Sequence, residues 1–475
     1  MVFSSTIFLF GFLPAVIISY YGQRLLFQKS LRNAVLLFFS YLFYLYGAAS
    51  FLLILLLSTF ADYLFGLLIE KDANRKRLWL VFSVLLNIGL LAYFKYANFF
   101  VAELNGLLVN FGFSGAEWKH VILPIGISFF TFQKLSYVID VYRGTARALE
   151  NIIDFALYVA LFPQLIAGPI VRFSYISGQL KGRRESWDSF YMGIMRFCWG
   201  LAKKVMIASS CGAIADVIFG LDPRLLDTKF AWLGAMAYTL QIYFDFSAYS
   251  DMAIGLGMLF GFKLPENFNR PYSAVSITDF WRRWHISLSS WFRDYLYIPL
   301  GGNREGMVKT CINMAVVFIL CGLWHGANWT FLLWGLYHGL FLILERLTGL
   351  RDISGEKYSF VRRATTLLIV TVGWVFFRSE DITQAIQFLG VMFTASDLPL
   401  SYELSLALNY RNILFMMTAL TVFFMPGDFS GISYLSAKKD PLALFAGALM
   451  ILLLLPYCAA LILGGSSSPF IYYRF

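Results

Sequence analysis

Two of the chain's four histidines sit where an imidazole is hard to hold. His325 lies in Cys321-Gly-Leu-Trp-His325-Gly-Ala-Asn-Trp329, and His285 lies forty residues earlier in Trp281-Arg-Arg-Trp-His285. Amid apolar helices an imidazole loses hydration and gains no obvious charge partner, so it persists where it does chemistry or is locked into a polar network. Kept neutral out of water it can take a proton at pH 7, which suits a general base. The structural alternative for His325 is a ring hydrogen-bonded to carbonyls at a helix end. Asn328 and Trp329 stand close enough in sequence to orient the ring or a substrate. His120, at the edge of an apolar run, and His338, thirteen residues beyond His325 and off the same helical face, read as structural.

The element that must position His285 starts at Ser276-Ile-Thr-Asp279, which has the spacing of a capping box. From there Trp281, Trp284, His285, Leu288, Phe292 and Tyr295 recur at helical spacing on one face, with Arg282, Ser289 and Arg293 largely elsewhere. The helix is expected to stop at Pro299-Leu-Gly-Gly302. An amphipathic, Trp-rich helix of this kind is either an interfacial anchor or a site. In the second case its arginines, Arg282 and Arg283 among them, bind an anionic head or the phosphates of a cofactor. Both can hold together. Upstream, Asp245-Phe-Ser-Ala-Tyr-Ser-Asp251 puts carboxylates where a membrane span should be, so Asp245 joins the candidate site.

The solvent follows from composition. With 59% hydrophobic residues, 19% aromatic, 14% charged and a mean hydropathy of +0.67, the chain has more apolar surface than a water-soluble core of this length can hide. It reads as a polytopic membrane protein. Its net charge of +10 is spread over short basic clusters between apolar runs, as in loops obeying the positive-inside rule, and not in the continuous patch that nucleic acid would need. Five cysteines, at 198, 211, 311, 321 and 458, form no CxxC pair, so neither a disulfide framework nor a zinc site is indicated.

Apolar runs near 3–21, 33–48 and 50–68 are long enough to cross a bilayer. The first has no basic leader or cleavage site and reads as a retained span. Arg24, Lys29 and Arg32 follow the first run and Lys71, Arg75, Lys76 and Arg77 the third, which places both loops in the cytoplasm and the amino terminus outside. Leu78 to Phe94 then leads to an outer loop, Asn98 to Lys119, and the run 121–132 returns to a cytoplasmic loop bearing Lys134, Arg143 and Arg147. Residues 153–171 break the count, because a basic stretch from Arg172 to Arg184 follows them. Phe162-Pro-Gln-Leu-Ile-Ala-Gly-Pro169 resolves it as a re-entrant hairpin, whose broken backbone must be buried in protein or line a wet cavity. About ten to twelve crossings in one membrane domain, 1–475, are expected at about twenty residues per span.

Several motifs, in order along most of the chain, resemble the membrane-bound O-acyltransferase (MBOAT) family and, within it, the bacterial branch of alginate O-acetyltransferases. They are Leu123-Pro-Ile-Gly-Ile-Ser-Phe-Phe-Thr-Phe-Gln133, Tyr137-Val-Ile-Asp-Val-Tyr-Arg143, the Phe162–Pro169 stretch, Gln241-Ile-Tyr-Phe-Asp-Phe-Ser247, Asp279-Phe-Trp-Arg-Arg-Trp-His285, Tyr297-Ile-Pro-Leu-Gly-Gly-Asn-Arg304, Gly322-Leu-Trp-His325-Gly and Pro469-Phe-Ile-Tyr-Tyr-Arg-Phe475. The resemblance implies an all-α ring of tilted transmembrane helices with re-entrant segments around a central tunnel. It implies that His325 is catalytic and His285 the second essential polar group, with Trp324, Asn328, Trp281, Arg282, Arg283 and Asp245 as candidate substrate contacts.

It further implies acetyl-CoA as acyl donor from the cytoplasm, no metal, and a secreted or cell-wall polysaccharide as final acceptor. The expected partner is an extracytoplasmic, esterase-like acetyltransferase of the SGNH type, and the expected location is the bacterial cytoplasmic membrane. D-alanyl transfer to teichoic acid is the nearest alternative, favoured less by the Tyr297–Arg304 stretch. A transporter or flippase of a lipid-linked glycan is the alternative from another class, but two matching halves are not visible. Cys321, one helical turn before His325, is the thiol placed for a covalent intermediate.

Overall fold

The computed structural model describes residues 1–26, 31–350, 359–424, 441–465 and 470–471. Lys29 of the first basic loop lies outside them, as do residues 469 and 472–475 of the terminal motif. Among the described residues all regular elements are helical. Six helical runs are long and apolar enough to cross a membrane, one of them holding two helices end to end. The chain is therefore an all-α, multi-pass membrane protein. Fewer runs qualify than the apolar stretches suggested, because several are packed against protein on most faces and carry buried polar groups instead of a lipid-facing surface. Packing divides the chain into two compact units, residues 1–186 with 261–264, and residues 187–260 with 265–475.

The first unit holds α1 (Leu13–Leu26), α2 (Arg32–Ala48), α3 (Leu52–Lys71), α4 (Lys76–Asn110), α5 (Ile127–Arg143), α6 (Ile152–Ala160), α7 (Phe162–Leu165) and α8 (Phe173–Gly182). At 35 residues α4 runs well into the segment expected as an outer loop. No proline and no left-handed residue interrupts it before Gly112, at φ +82°. The chain returning after α4 is pinned to its flank, where Asn98 Oδ1 accepts from Val121 N and Trp118 Nε1, each at 2.9 Å.

Lys134 is a second correction. Charge counting put it in a cytoplasmic loop, yet it is fully buried on α5 with Nζ 3.4 Å from Asp62 Oδ2 of α3. Asp62 also accepts from Ser83 Oγ, and from Asn87 Nδ2 on both oxygens at 3.0 and 2.8 Å, so three helices meet on one carboxylate. A cation neutralised inside the protein carries no topological information, which is why the loop rule misplaced it.

The break after residue 160 is as read from the sequence. α6 is nine residues, about 14 Å, too short to cross a hydrocarbon core, and Leu161 leaves the helix at ψ 113°. All residues from 154 to 171 are buried. Their backbone groups find partners in protein: Phe162 N donates to Ser40 Oγ at 3.1 Å, and Tyr158 OH donates to Val171 O at 3.1 Å. After α8, Glu185 closes the unit by accepting from Tyr20 OH at 2.6 Å and Arg32 Nη1 at 2.8 Å. Burial pushes its carboxyl up, but these two donors outweigh that and hold it at about 2.

The second unit begins with α9 (Trp187–Ala202), which passes through a π-turn at Lys203–Ala208 into α10 (Ser209–Gly220). Along them lies α11 (Thr228–Leu259), so close that a Cβ on Gly255 would stand 2.6 Å from Gly193 O. Then come α12 (Ile277–Arg283), α13 (Ile286–Phe292), α14 (Met307–His325), α15 (Trp329–Thr348), α16 (Ser359–Arg378) and α17 (Ile382–Phe393), followed by helices Tyr402–Ala407, Tyr410–Phe424 and Pro441–Leu463. The single amphipathic helix expected from Ser276 to Pro299 is two helices, because His285 takes a left-handed conformation between them.

Lys134→Met should leave Asp62 as an uncompensated buried charge and cost about 3–5 kcal/mol of stability. Adding Asp62→Asn should recover most of the loss. Thermal unfolding of the detergent-solubilised protein checks both, and a single variant as stable as the parent would show that the pair does not join these helices.

Candidate active site

His285 is fully buried and sits at φ +43°, ψ +53°, between α12 and α13. A left-handed non-glycine residue costs about 1–3 kcal/mol and persists only when its surroundings over-determine it. Here they do. Asn269 N donates to Arg283 O at 2.9 Å and Ile286 N donates to Asn267 O at 3.0 Å, so an extended stretch clamps both sides of the kink.

The side chain of Asn267 also sets the tautomer of the ring. Its Oδ1 already accepts from Ser287 Oγ at 2.8 Å and Ser287 N at 3.2 Å, while its Nδ2 donates to Ser250 Oγ at 3.2 Å. The same Oδ1 lies 3.1 Å from His285 Nδ1, so Nδ1 carries the proton and donates. That leaves a lone pair on Nε2, which has no hydrogen-bond partner among the described residues. A buried acceptor of this kind is what a hydroxyl group needs in order to be oriented and stripped of its proton.

The head of α12 is fixed from two directions. Ser276 Oγ accepts from Asp279 N at 3.0 Å, as the capping spacing predicted. Glu345, from α15, accepts from Ile277 N, Thr278 N and Thr278 Oγ1 at 2.5, 2.9 and 2.7 Å. A carboxylate on the first free amides of a helix also suits the helix dipole. The helix so held carries Trp281, Arg282 and Arg283 toward His285.

His325 ends α14 and is 4% exposed. Its ring is walled by Trp324, Trp334 and Phe377, with centroids at 4.9, 5.1 and 5.2 Å. The wall depends on two helices touching: a Cβ on Gly322 would stand 2.3 Å from Phe331 O, and one on Gly335 2.3 Å from Phe318 O. Trp324 also contacts the His285 ring, at 6.1 Å. The two imidazoles singled out by the sequence thus share one indole.

The other candidates divide. Trp281 packs against Trp334 at 5.6 Å and so belongs to the same cluster. Arg283 pairs with Asp279 at 2.8 Å, and Arg282 is exposed. Asp245 is engaged elsewhere: its Oδ1 pairs with Lys204 Nζ at 2.8 Å and its Oδ2 accepts from Ile471 N at 2.8 Å, which ties the carboxy-terminal segment to α11. Asn328 caps α15 by accepting from Thr330 N at 3.1 Å and donates to Glu380 O at 2.8 Å, so it joins α15 to the segment after α16.

Cys321 is 5% exposed, one turn from His325. His120 is exposed, with Nε2 3.3 Å from Asn98 Nδ2. His338, set aside in the sequence, is fully buried 5.2 Å from the Trp334 ring that also touches His325. Missed altogether were Asn267 and Glu345. Asn267 stood in a Pro- and Asn-rich loop that gave no sign of facing His285, and Glu345 was an ordinary acidic residue near a helix end.

Residues 145–351, which include His285 and His325, match the model of the MBOAT, membrane-bound O-acyltransferase family. The probable alginate O-acetylase AlgI of Pseudomonas putida is 48% identical over 410 residues, 84% of this chain and 82% of that one. The peptidoglycan O-acetyltransferase of Helicobacter pylori is 37% identical over 429 residues, 82% and 79% of the two chains. The teichoic acid D-alanyltransferase of Bacillus subtilis is 28% identical over 330 residues, 63% and 81%.

Asn267→Ala should free the His285 ring to rotate and change tautomer, lowering turnover about 100-fold, as misplacement of a reacting group by an ångström does. Glu345→Gln, which keeps an acceptor at the head of α12, should retain more activity than Glu345→Ala. Turnover measured beside thermal unfolding checks this, and equal activity in the two Glu345 variants would show that the carboxylate does not position α12.

Proposed function

Since the chain belongs to the membrane-bound O-acyltransferase family, we propose that it is an O-acetyltransferase of the bacterial cytoplasmic membrane that carries acetyl from cytoplasmic acetyl-CoA to the outer side, for O-acetylation of a secreted or cell-wall polysaccharide. The observation that carries the reading is the pair of buried imidazoles on either side of Trp324, one of them with its Nε2 lone pair directed away from its locked Nδ1–H. The 48% identity to an alginate O-acetylase across 84% of the chain supports acetyl over D-alanyl, whose named enzyme shares 28%.

A thioester is already activated, so the protein must hold it, activate a hydroxyl and keep water away. The acceptor oxygen attacks the thioester carbonyl carbon, a C–O bond forms and the C–S bond breaks. The hydroxyl proton passes to an imidazole and from it to the departing thiolate, giving free CoA thiol and an O-acetyl ester. His325 takes that proton, and His285 orients a reacting group through Nε2. The immediate acceptor is an extracytoplasmic esterase-like acetyltransferase of the SGNH type, which passes the group to a sugar hydroxyl.

His325→Ala should abolish transfer of label from acetyl-CoA by the purified protein, and His285→Ala should lower it about 10²–10⁴-fold, the range for loss of a positioned acid–base group. Label transfer to a hydroxyl acceptor checks both. Glycan transport with no acetyl consumption would replace this reading with a transporter.

A further inference from the structure

Trp281, Trp334 and His338 form a triangle of rings in mutual contact. Their centroids are 5.6, 5.3 and 5.2 Å apart, with interplanar angles of 69°, 89° and 72°. All three are more than nine-tenths buried, at 7%, 0% and 0% exposure. Yet Trp281 Nε1, Trp334 Nε1 and both ring nitrogens of His338 have no hydrogen-bond partner among the described residues.

Elsewhere in the same unit two indoles do find acceptors. Trp374 Nε1 donates to Tyr272 OH at 3.1 Å and Trp232 Nε1 to Met392 O at 2.8 Å. A neutral imidazole brings one N–H and one lone pair, and each indole brings one N–H. The three rings together hold three donors and a single acceptor, so at least two donors remain over however the rings pair among themselves. A buried donor left unpaired costs about 1–3 kcal/mol, so a group that accepts hydrogen bonds is needed there.

The chemical class of that group follows from the surroundings. The rings packed on the triangle include Phe280, Phe318, Tyr337, Trp374 and Phe377. With no cation–ring contact on it among the described residues, the triangle suits a neutral acceptor and not a phosphate or carboxylate. On α16, Gly373 borders the imidazole, where a Cβ would stand 2.8 Å from His338 Nε2. Trp334 joins the triangle to His325, 5.1 Å from that ring.

We infer that Trp281, Trp334 and His338 form a polar subsite for the acyl donor, holding a carbonyl oxygen one ring away from His325. The inference rests on the acetyl-CoA reading above. The donor carries two kinds of carbonyl, that of the thioester and those of the amides along its arm, and both present the same neutral oxygen to the indole and imidazole N–H groups.

Trp281→Phe, Trp334→Phe and His338→Phe each keep a ring and remove the polar nitrogen. Equilibrium binding of labelled acetyl-CoA and of CoA to the purified full chain, with turnover and thermal unfolding alongside, tests the subsite. Failure of the unmodified protein to bind or consume acetyl-CoA would remove the donor reading itself. If it binds, each variant should weaken acetyl-CoA about five- to tenfold, the scale of one lost hydrogen bond, with an unchanged thermal midpoint. Equal weakening of CoA assigns the oxygen to an arm amide, and weakening of acetyl-CoA alone assigns it to the thioester. Variants that bind and turn over acetyl-CoA as the parent does, or that weaken only as their thermal midpoint falls, would overturn the subsite and leave the triangle as packing.

Discussion

A polar group taken out of water must find its hydrogen bonds in protein, and in a membrane chain nearly every feature of the site follows from that requirement. His285 shows it most fully. Its ring is held by Asn267, whose side chain also meets two atoms of Ser287 and the hydroxyl of Ser250. The backbone at the kink is held by Arg283 O and Asn267 O. Each member is satisfied by the next, so the imidazole can adopt few other positions, and its reactive nitrogen is defined by what surrounds the opposite one.

The aromatic wall acts in a complementary way. Rings around His325 supply bulk on three sides and hold the imidazole by packing. That packing is possible because α14 and α15 approach through Gly322 and Gly335, where any side chain would collide with backbone oxygen.

Much of this could be read in the sequence. Composition gave the membrane class, the Pro-Gly interruption gave the broken and buried segment after residue 160, and the two Trp-His motifs gave both imidazoles. Local spacing failed where long-range pairing decided the outcome. Helical periodicity from Trp281 to Tyr295 ran through His285 as if the chain were continuous, because a kink imposed by Asn267 and Asn269 leaves no mark on period. Lys134 was counted as a loop charge because its partner Asp62 lies seventy-two residues away. Asn328 caps α15 and Asp245 pairs with Lys204, two structural contacts that local sequence does not announce.

The length of α4 bears on the bilayer itself. Thirty-five residues make a rod of about 52 Å, against a hydrocarbon slab of about 30 Å. Large apolar side chains stay exposed along it from Leu78 to Leu107 and on to Phe111 just past its end, so little of the rod is dressed for water. Such a helix lies in lipid only by leaning far from the membrane normal or by gathering thicker lipid around it. Hydrophobic mismatch therefore makes the lean of this one strut depend on the acyl-chain length of the lipid around it.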